Sequence, residues 1–148
     1  MLLYFAAPLF SKAERAFNER LTAKLEANGF RVFLPQRDGA EKDRPPYDAI
    51  TPAERRRAMF ELDRARILEA EVFLFVLDGR VPDEGACVET GIAHAHKHLW
   101  RAPKLLVGLH TDARAAFPTS KLNPMIRVPV GEIAGDEQEL IGILRGTR

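Results

Sequence analysis

The 148-residue chain has a single cysteine, Cys87, so no disulfide can form within it, and a reducing cytoplasm fits. It has no apolar run near the roughly 18 residues of a membrane span. Its first residues, MLLYFAAPLF, are apolar but carry no basic segment, so they read as a first strand and not as a signal peptide. Charge of one sign is also missing: 22 basic and 21 acidic residues leave a net +1. That balance excludes a nucleic-acid-binding face built on bulk charge. Neither a P-loop nor a G-x-G-x-x-G segment occurs, so phosphate-dependent chemistry lacks its usual cradle. There are no repeats and no low-complexity segments. What remains, 46% apolar and 29% charged residues, is the composition of one ordinary globular domain.

Strands and helices alternate along the chain. LLYFAA (2–7) reads as a short buried strand. Ser11 and Glu14 form a capping box, and Phe17, Leu21 and Leu25 then recur at helical spacing until Gly29 stops the helix. FRVFLP (30–35) reads as the second strand, and the polar, proline-bearing residues 36–50 as a long loop. Thr51 and Glu54 form a second capping box with Pro52 between them, and the helix runs to about Ala70. VFLFVL (72–77) is unbroken in its apolarity, as a strand buried on both faces would be. A helix over 86–99, a strand over 104–109 and a long loop over 110–124 follow. MIRVPV (125–130) reads as a fifth strand, placed at an edge because of Pro129, and 136–145 as a closing helix.

This order predicts an α/β fold: an open, parallel, five-stranded sheet with helices on both faces. The flavodoxin-like strand order 2-1-3-4-5 is the natural arrangement. Ligands in such sheets bind beyond the carboxyl ends of the strands, where the order reverses between strands 1 and 3. That edge should gather Ala7, Pro8, Leu9 and Phe10, the 35–50 loop with Gln36, Asp78 and Gly79, the 82–89 segment with Gly85, and the 110–124 loop.

Within that edge, PDEGACVETGIA (82–93) carries Glu89 where a loop passes into a helix. Its neighbours at i+3 and i+4 are Ile92 and Ala93, so no basic residue answers it along the helix. A carboxylate held there, partly desolvated, can act as a nucleophile; the plain alternative is a solvated helix glutamate. Asp63 falls on one stripe with Met59 and Ile67, either facing inward as a functional group or lying at the stripe's margin. Asp83 is placed to cap the next helix, and Asp78 to order the loop. Cys87 is best read as a small buried hydrophobe. His94 and His98, four residues apart, could share a zinc ion, but no third ligand follows at a suitable spacing, so no metal is expected.

The chain resembles the nucleoside 2-deoxyribosyltransferases. The likeness rests on YFAAPLF (4–10), FLP (33–35), Asp63, LDGRVPDEGACVETGIA (77–93), TDAR (111–114) and NPMI (123–126), and most specifically on D-x-G-x-x-x-E-x-G from Asp83 to Gly91. The resemblance implies a flavodoxin-like fold and a catalytic glutamate at Glu89 that forms a covalent deoxyribosyl ester. Tyr4 matches the tyrosine that positions this nucleophile. Asp63 and Asp83 match two pocket aspartates, one exchanging a proton with the base and the other holding base or sugar hydroxyls. Asn123 and Met125 match residues lent to a neighbouring subunit, which implies a dimer-based homo-oligomer and often a hexamer. The substrates implied are a deoxynucleoside and a free nucleobase, with no cofactor. FLPQRD (33–38) and TDAR look like the purine-preferring branch. The departures are Ala86-Cys87 beside the nucleophile and Pro124 inside the N-x-M motif.

Two rival readings remain. The related 2′-deoxynucleoside 5′-monophosphate N-glycosidases share fold and glutamate but use water, and need a phosphate-binding group that is usually serine-rich. Ser11 and Ser120 are the only serines here. A non-enzymatic, receiver-like or nucleotide-binding module would want acidic residues after the first strand, where this chain has Ala6-Ala7-Pro8.

Overall fold

A computed structural model describes residues 1–79, 81–112 and 122–146. Five strands, β1 (Leu2–Ala6), β2 (Arg31–Phe33), β3 (Val72–Val76), β4 (Leu105–Leu109) and β5 (Glu132–Ala134), form one sheet in the order β2-β1-β3-β4-β5. Every pairing is parallel, as the sequence predicts. The side chains alternate across it. Leu3, Phe5, Val72 and Leu74 face the helices α1 (Lys12–Ala27) and α6 (Glu137–Gly146) through Leu21, Leu25 and Leu140. Tyr4, Ala6, Phe73 and Phe75 face the other layer, built from α3 (Pro52–Glu69), α4 (Glu84–Leu99) and α5 (Pro124–Val130). Burial on both faces explains the unbroken apolarity of β3.

Local signals set the helix ends. Both capping boxes form: Ser11 accepts from the Glu14 N–H and Thr51 from the Glu54 N–H, with each glutamate returning to the cap backbone. α1 ends in a Schellman turn, with Gly29 at φ 83°, its N–H on the Glu26 carbonyl and the Phe30 N–H on the Leu25 carbonyl. The buried Lys104 ammonium donates to the carbonyls of Ile67 and Ala70, closing the end of α3.

Three expectations need correction. Residues 125–130 are not the fifth strand but most of α5; the strand is the three-residue β5 that follows. Asn123 caps α5 and Pro124 takes its first turn, a helix-start signature that outweighs the β-branched residues behind it. Gly108 makes room for the crossing, because a Cβ there would lie 3.0 Å from Val130 and 3.1 Å from Ile133. The supposed 36–50 loop contains one helical turn, α2 (Pro35–Asp38), and a 3-10 turn at Tyr47–Ala49. α4 begins at Glu84, two residues before the predicted start. Of the predicted 110–124 loop, residues 113–121, with Ala113 and Arg114 of the TDAR segment, lie outside the described residues, as does Arg80. Among the described residues, no helix is long and apolar enough to cross a membrane.

Candidate active site

Tyr4 lies in the middle of β1, fully buried. The parallel register puts it level with Phe33 on β2 and Phe73 on β3. Its ring stacks between them, with centroids 5.6 and 5.7 Å away and interplanar angles of 19° and 6°. A phenol so bracketed has one place to send its hydroxyl: Tyr4 Oη donates to Glu89 Oε1 at 2.7 Å. Burial, then the adjacent Glu89 carboxylate, raise the phenol's pKa far above its usual range, so it remains a donor.

Glu89 sits one and a half turns into α4 on a cavity of about 280 Å³. Asp63 reaches the same cavity from α3 and Asp83 from the start of α4. Burial pushes the Glu89 carboxyl up to about 7; the Tyr4 hydrogen bond opposes this, and Asp63 and Asp83 reinforce it. Burial and then Glu41 push Asp63 up to about 6. Asp83 caps α4, its Oδ2 accepting from the Ala86 N–H at 2.8 Å. Gly85 keeps the space beside that carboxylate open, since a Cβ there would stand 3.2 Å from Asp83 Oδ2.

The folded Glu89 carboxyl therefore holds its proton more tightly than the unfolded chain does. Its contribution to stability is complete below the unfolded pKa and is lost as pH rises through about 7. At pH 8 the ionised group costs the fold up to about 3 kcal/mol. Glu89→Gln, which keeps an oxygen for Tyr4, should raise Tm at pH 8 by roughly 6–12 °C and change it little at pH 4. Scanning calorimetry at the two pH values checks this; equal shifts at both would mean that Glu89 is not desolvated.

The predicted site residues divide. Tyr4, Asp63, Asp83, Gly85, Glu89 and the 80%-exposed Phe10 come together, Tyr4 by its bond to Glu89 and the rest on the cavity. Pro8, Asp78 and Gly79 line a neighbouring cavity against α1, and Ala7 packs on the α1 face of the core. Asp78 anchors a loop, accepting from the N–H and hydroxyl of Thr111 and the N–H of Asp112. Gln36 is buried and turned toward α1: it accepts from Asn18 and donates to the Arg15 carbonyl and to Glu19. Asn123 caps α5 through the Met125 N–H, Met125 is 81% exposed, and neither lines the Glu89 cavity.

Leu9, which the sequence places at this edge, is on the cavity wall, as are Ala40 and Glu41, which nothing in the sequence singled out within their loop. Met59 also lines it, and was legible as the residue one turn before Asp63 on the same stripe. Burial, then Asp83 and Glu84, raise the Cys87 thiol's pKa, which disfavours a thiolate nucleophile. The His94 and His98 rings lie 4.2 Å apart, and no group of three metal-ligating side chains occurs among the described residues.

The family model described as nucleoside 2-deoxyribosyltransferase matches residues 3–140. Among solved structures, the chain is similar to a conserved protein from Enterococcus faecalis V583, with a TM-score of 0.79 and 23% identity over 99% of this chain and 98% of that one. It is similar to a 2-deoxyribosyltransferase from Bacillus psychrosaccharolyticus, with a TM-score of 0.74 and 19% identity over 95% and 90% of the two chains. A CMP N-glycosidase from Clostridium botulinum has the same fold at a TM-score of 0.57 and 17% identity over 100% of both chains. No curated protein matches the sequence.

Proposed function

Because the chain belongs to the nucleoside 2-deoxyribosyltransferase family, a family of enzymes, we propose that it moves the 2-deoxyribosyl group of a 2′-deoxynucleoside to an acceptor purine through an ester on Glu89. The observation that carries this reading is the 2.7 Å bond from Tyr4 to Glu89 in a cavity shared with two further aspartates. With Oε1 held by the phenol, Oε2 attacks the anomeric carbon. The C1′–N bond breaks, its electron pair goes to the base, and Asp63 supplies the proton that the base takes away. Asp63 fits that task because its carboxyl is raised to about 6, while Asp83 is committed to the α4 cap. An acceptor base then attacks C1′ from the face the first base left. Its proton passes to Asp63, and the ester bond's electrons return to Glu89. Two inversions give net retention. Without a 2′-hydroxyl, the oxocarbenium-like transition state is reached more easily, so a deoxy preference is chemically natural.

Asn123 and Met125 fit a role in a neighbouring subunit's site, as both stand apart from their own chain's cavity. The working enzyme is then a dimer or a larger assembly of dimers.

One preparation tests both statements. A deoxynucleoside alone should be hydrolysed slowly. Adding a free purine should divert most of the flux to a new β-nucleoside, and the protein should sediment as at least a dimer at assay concentration. Hydrolysis equally fast with and without acceptor would favour an N-glycosidase, and a fully active monomer would remove the subunit-sharing role. Against a 5′-monophosphate substrate stands the cavity wall itself: Glu41, Asp63, Asp83 and Glu89 line it, with no basic side chain among the described residues there.

A further inference from the structure

Within the transfer reading, on which this inference rests, one charged group of the cavity has no part in the chemistry so far: Glu41. Its backbone is firmly placed. The Gly39 N–H donates to the Pro35 carbonyl at 2.9 Å, and the Glu41 N–H donates to the Gly39 carbonyl at 2.9 Å. Asp38 Oδ2 ties the same turn back by accepting from the Leu34 N–H at 2.9 Å. A Cβ on Gly39 would collide with the Pro35 carbonyl oxygen, so the turn closes this tightly only with glycine there. Ala40 is buried beneath it, and Glu41 emerges on the cavity wall together with Met59 and Asp63. The ion pairs among the described residues do not include Glu41.

We propose that Glu41 selects the base: its carboxylate accepts a hydrogen bond from the 6-amino group of a purine, so 6-aminopurine deoxynucleosides are preferred over 6-oxopurine ones. A purine leaving from N9 can be protonated at N7, the atom that Asp63 serves. The substituent next to N7 on that edge is the group at C6. Glu41 is close enough to Asp63 to act on its carboxyl electrostatically, and it shares its wall. Adenine offers an acceptor at N7 and a donor at N6, which match in order a protonated Asp63 and the Glu41 carboxylate. Hypoxanthine and guanine offer acceptors at both positions. Their O6 would face the Glu41 carboxylate, leaving two acceptors without a proton between them. Leu9, Phe10 and Met59 complete the wall with apolar surface, which suits a ring face but does not distinguish one purine from another.

The test compares kcat/KM for deoxyadenosine and deoxyinosine in the wild type, Glu41→Gln and Glu41→Ala, with binding of free adenine and hypoxanthine followed by calorimetry in the same three proteins. The wild type should prefer the 6-amino compounds about tenfold or more in both measurements. Glutamine presents both an oxygen and an NH₂ group, so Glu41→Gln should bring the ratio to within about threefold, chiefly by improving the 6-oxo compounds. Glu41→Ala should also erase the preference. An unchanged ratio in both variants, or no preference in the wild type, overturns the proposal. The transfer reading fails separately. If no deoxynucleoside is cleaved but the calorimetric preference for adenine is present and vanishes in Glu41→Gln, base selection stands and transfer falls.

Discussion

Glu89→Ala should lower turnover by on the order of 10⁴-fold or more while the protein remains folded. In the proposed mechanism this carboxylate makes and breaks the bond to the anomeric carbon in both half-reactions, so nothing else in the cavity can replace it. Tyr4 would lose its acceptor, at a cost of about 1–3 kcal/mol. The fold would also be relieved of a carboxylate whose burial raises its pKa to about 7, and the two effects partly cancel. The alanine also leaves room for a small anion. Azide should restore part of the cleavage, and its product should carry the inverted configuration, because one displacement replaces two. Rapid-quench assays with product stereochemistry read both results. Near-wild-type turnover in Glu89→Ala would end the covalent mechanism, and a retained azide product would end the assignment of two displacements.

Asp63→Asn should slow cleavage of ordinary deoxynucleosides by ~10²–10⁴-fold, the usual range for loss of a general acid. An N7-alkylated purine deoxynucleoside already carries the positive charge that protonation would supply, so its cleavage should change little. The pH profile separates this role from a structural one. Transfer needs Glu89 ionised, with its carboxyl at about 7, and Asp63 protonated, with its carboxyl at about 6. kcat/KM for the wild type should therefore trace a narrow bell between these values, its limbs belonging to the coupled pair and not to either residue alone. In Asp63→Asn the alkaline limb should disappear. The acidic limb that remains belongs to Glu89 alone and should lie at or above the acidic limb of the wild-type bell, because the first proton of the coupled pair leaves at least as readily as the Glu89 proton does by itself. An equal loss on both substrates, with the bell unchanged, would make Asp63 a structural residue.

What the sequence revealed was local or periodic. Both capping boxes and the Gly29 stop are contacts within a few residues, and each formed as predicted. The strand order followed from unbroken apolar runs alternating with helices. The fifth strand failed because RVPV has strand composition while Asn123-Pro124 starts a helix; the room for that helix comes from Gly108 on another element. Gln36 was placed in the crevice because its loop was, yet polar groups on α1 turn it inward. Glu41 had no signal of its own in a loop crowded with charges. The bond between Tyr4 and Glu89 spans 85 positions, and no spacing rule connects them. Family likeness pointed to the pair; the register of three strands places the phenol, and α4 carries Glu89 to meet it.

The ring of Tyr4, clasped by Phe33 and Phe73 across three strands, also bears on how such a protein can change over time. The partner of the proposed nucleophile is anchored to the sheet interior. Leu9, Phe10 and Glu41, which would meet the base, stand on the connections leaving β1 and β2. Substitutions in those connections can alter which base is accepted without disturbing the phenol or the carboxylate it holds. A lineage can then drift from one base preference to another through intermediates that all keep working chemistry, and a library for altered selectivity belongs at positions 9, 10 and 41.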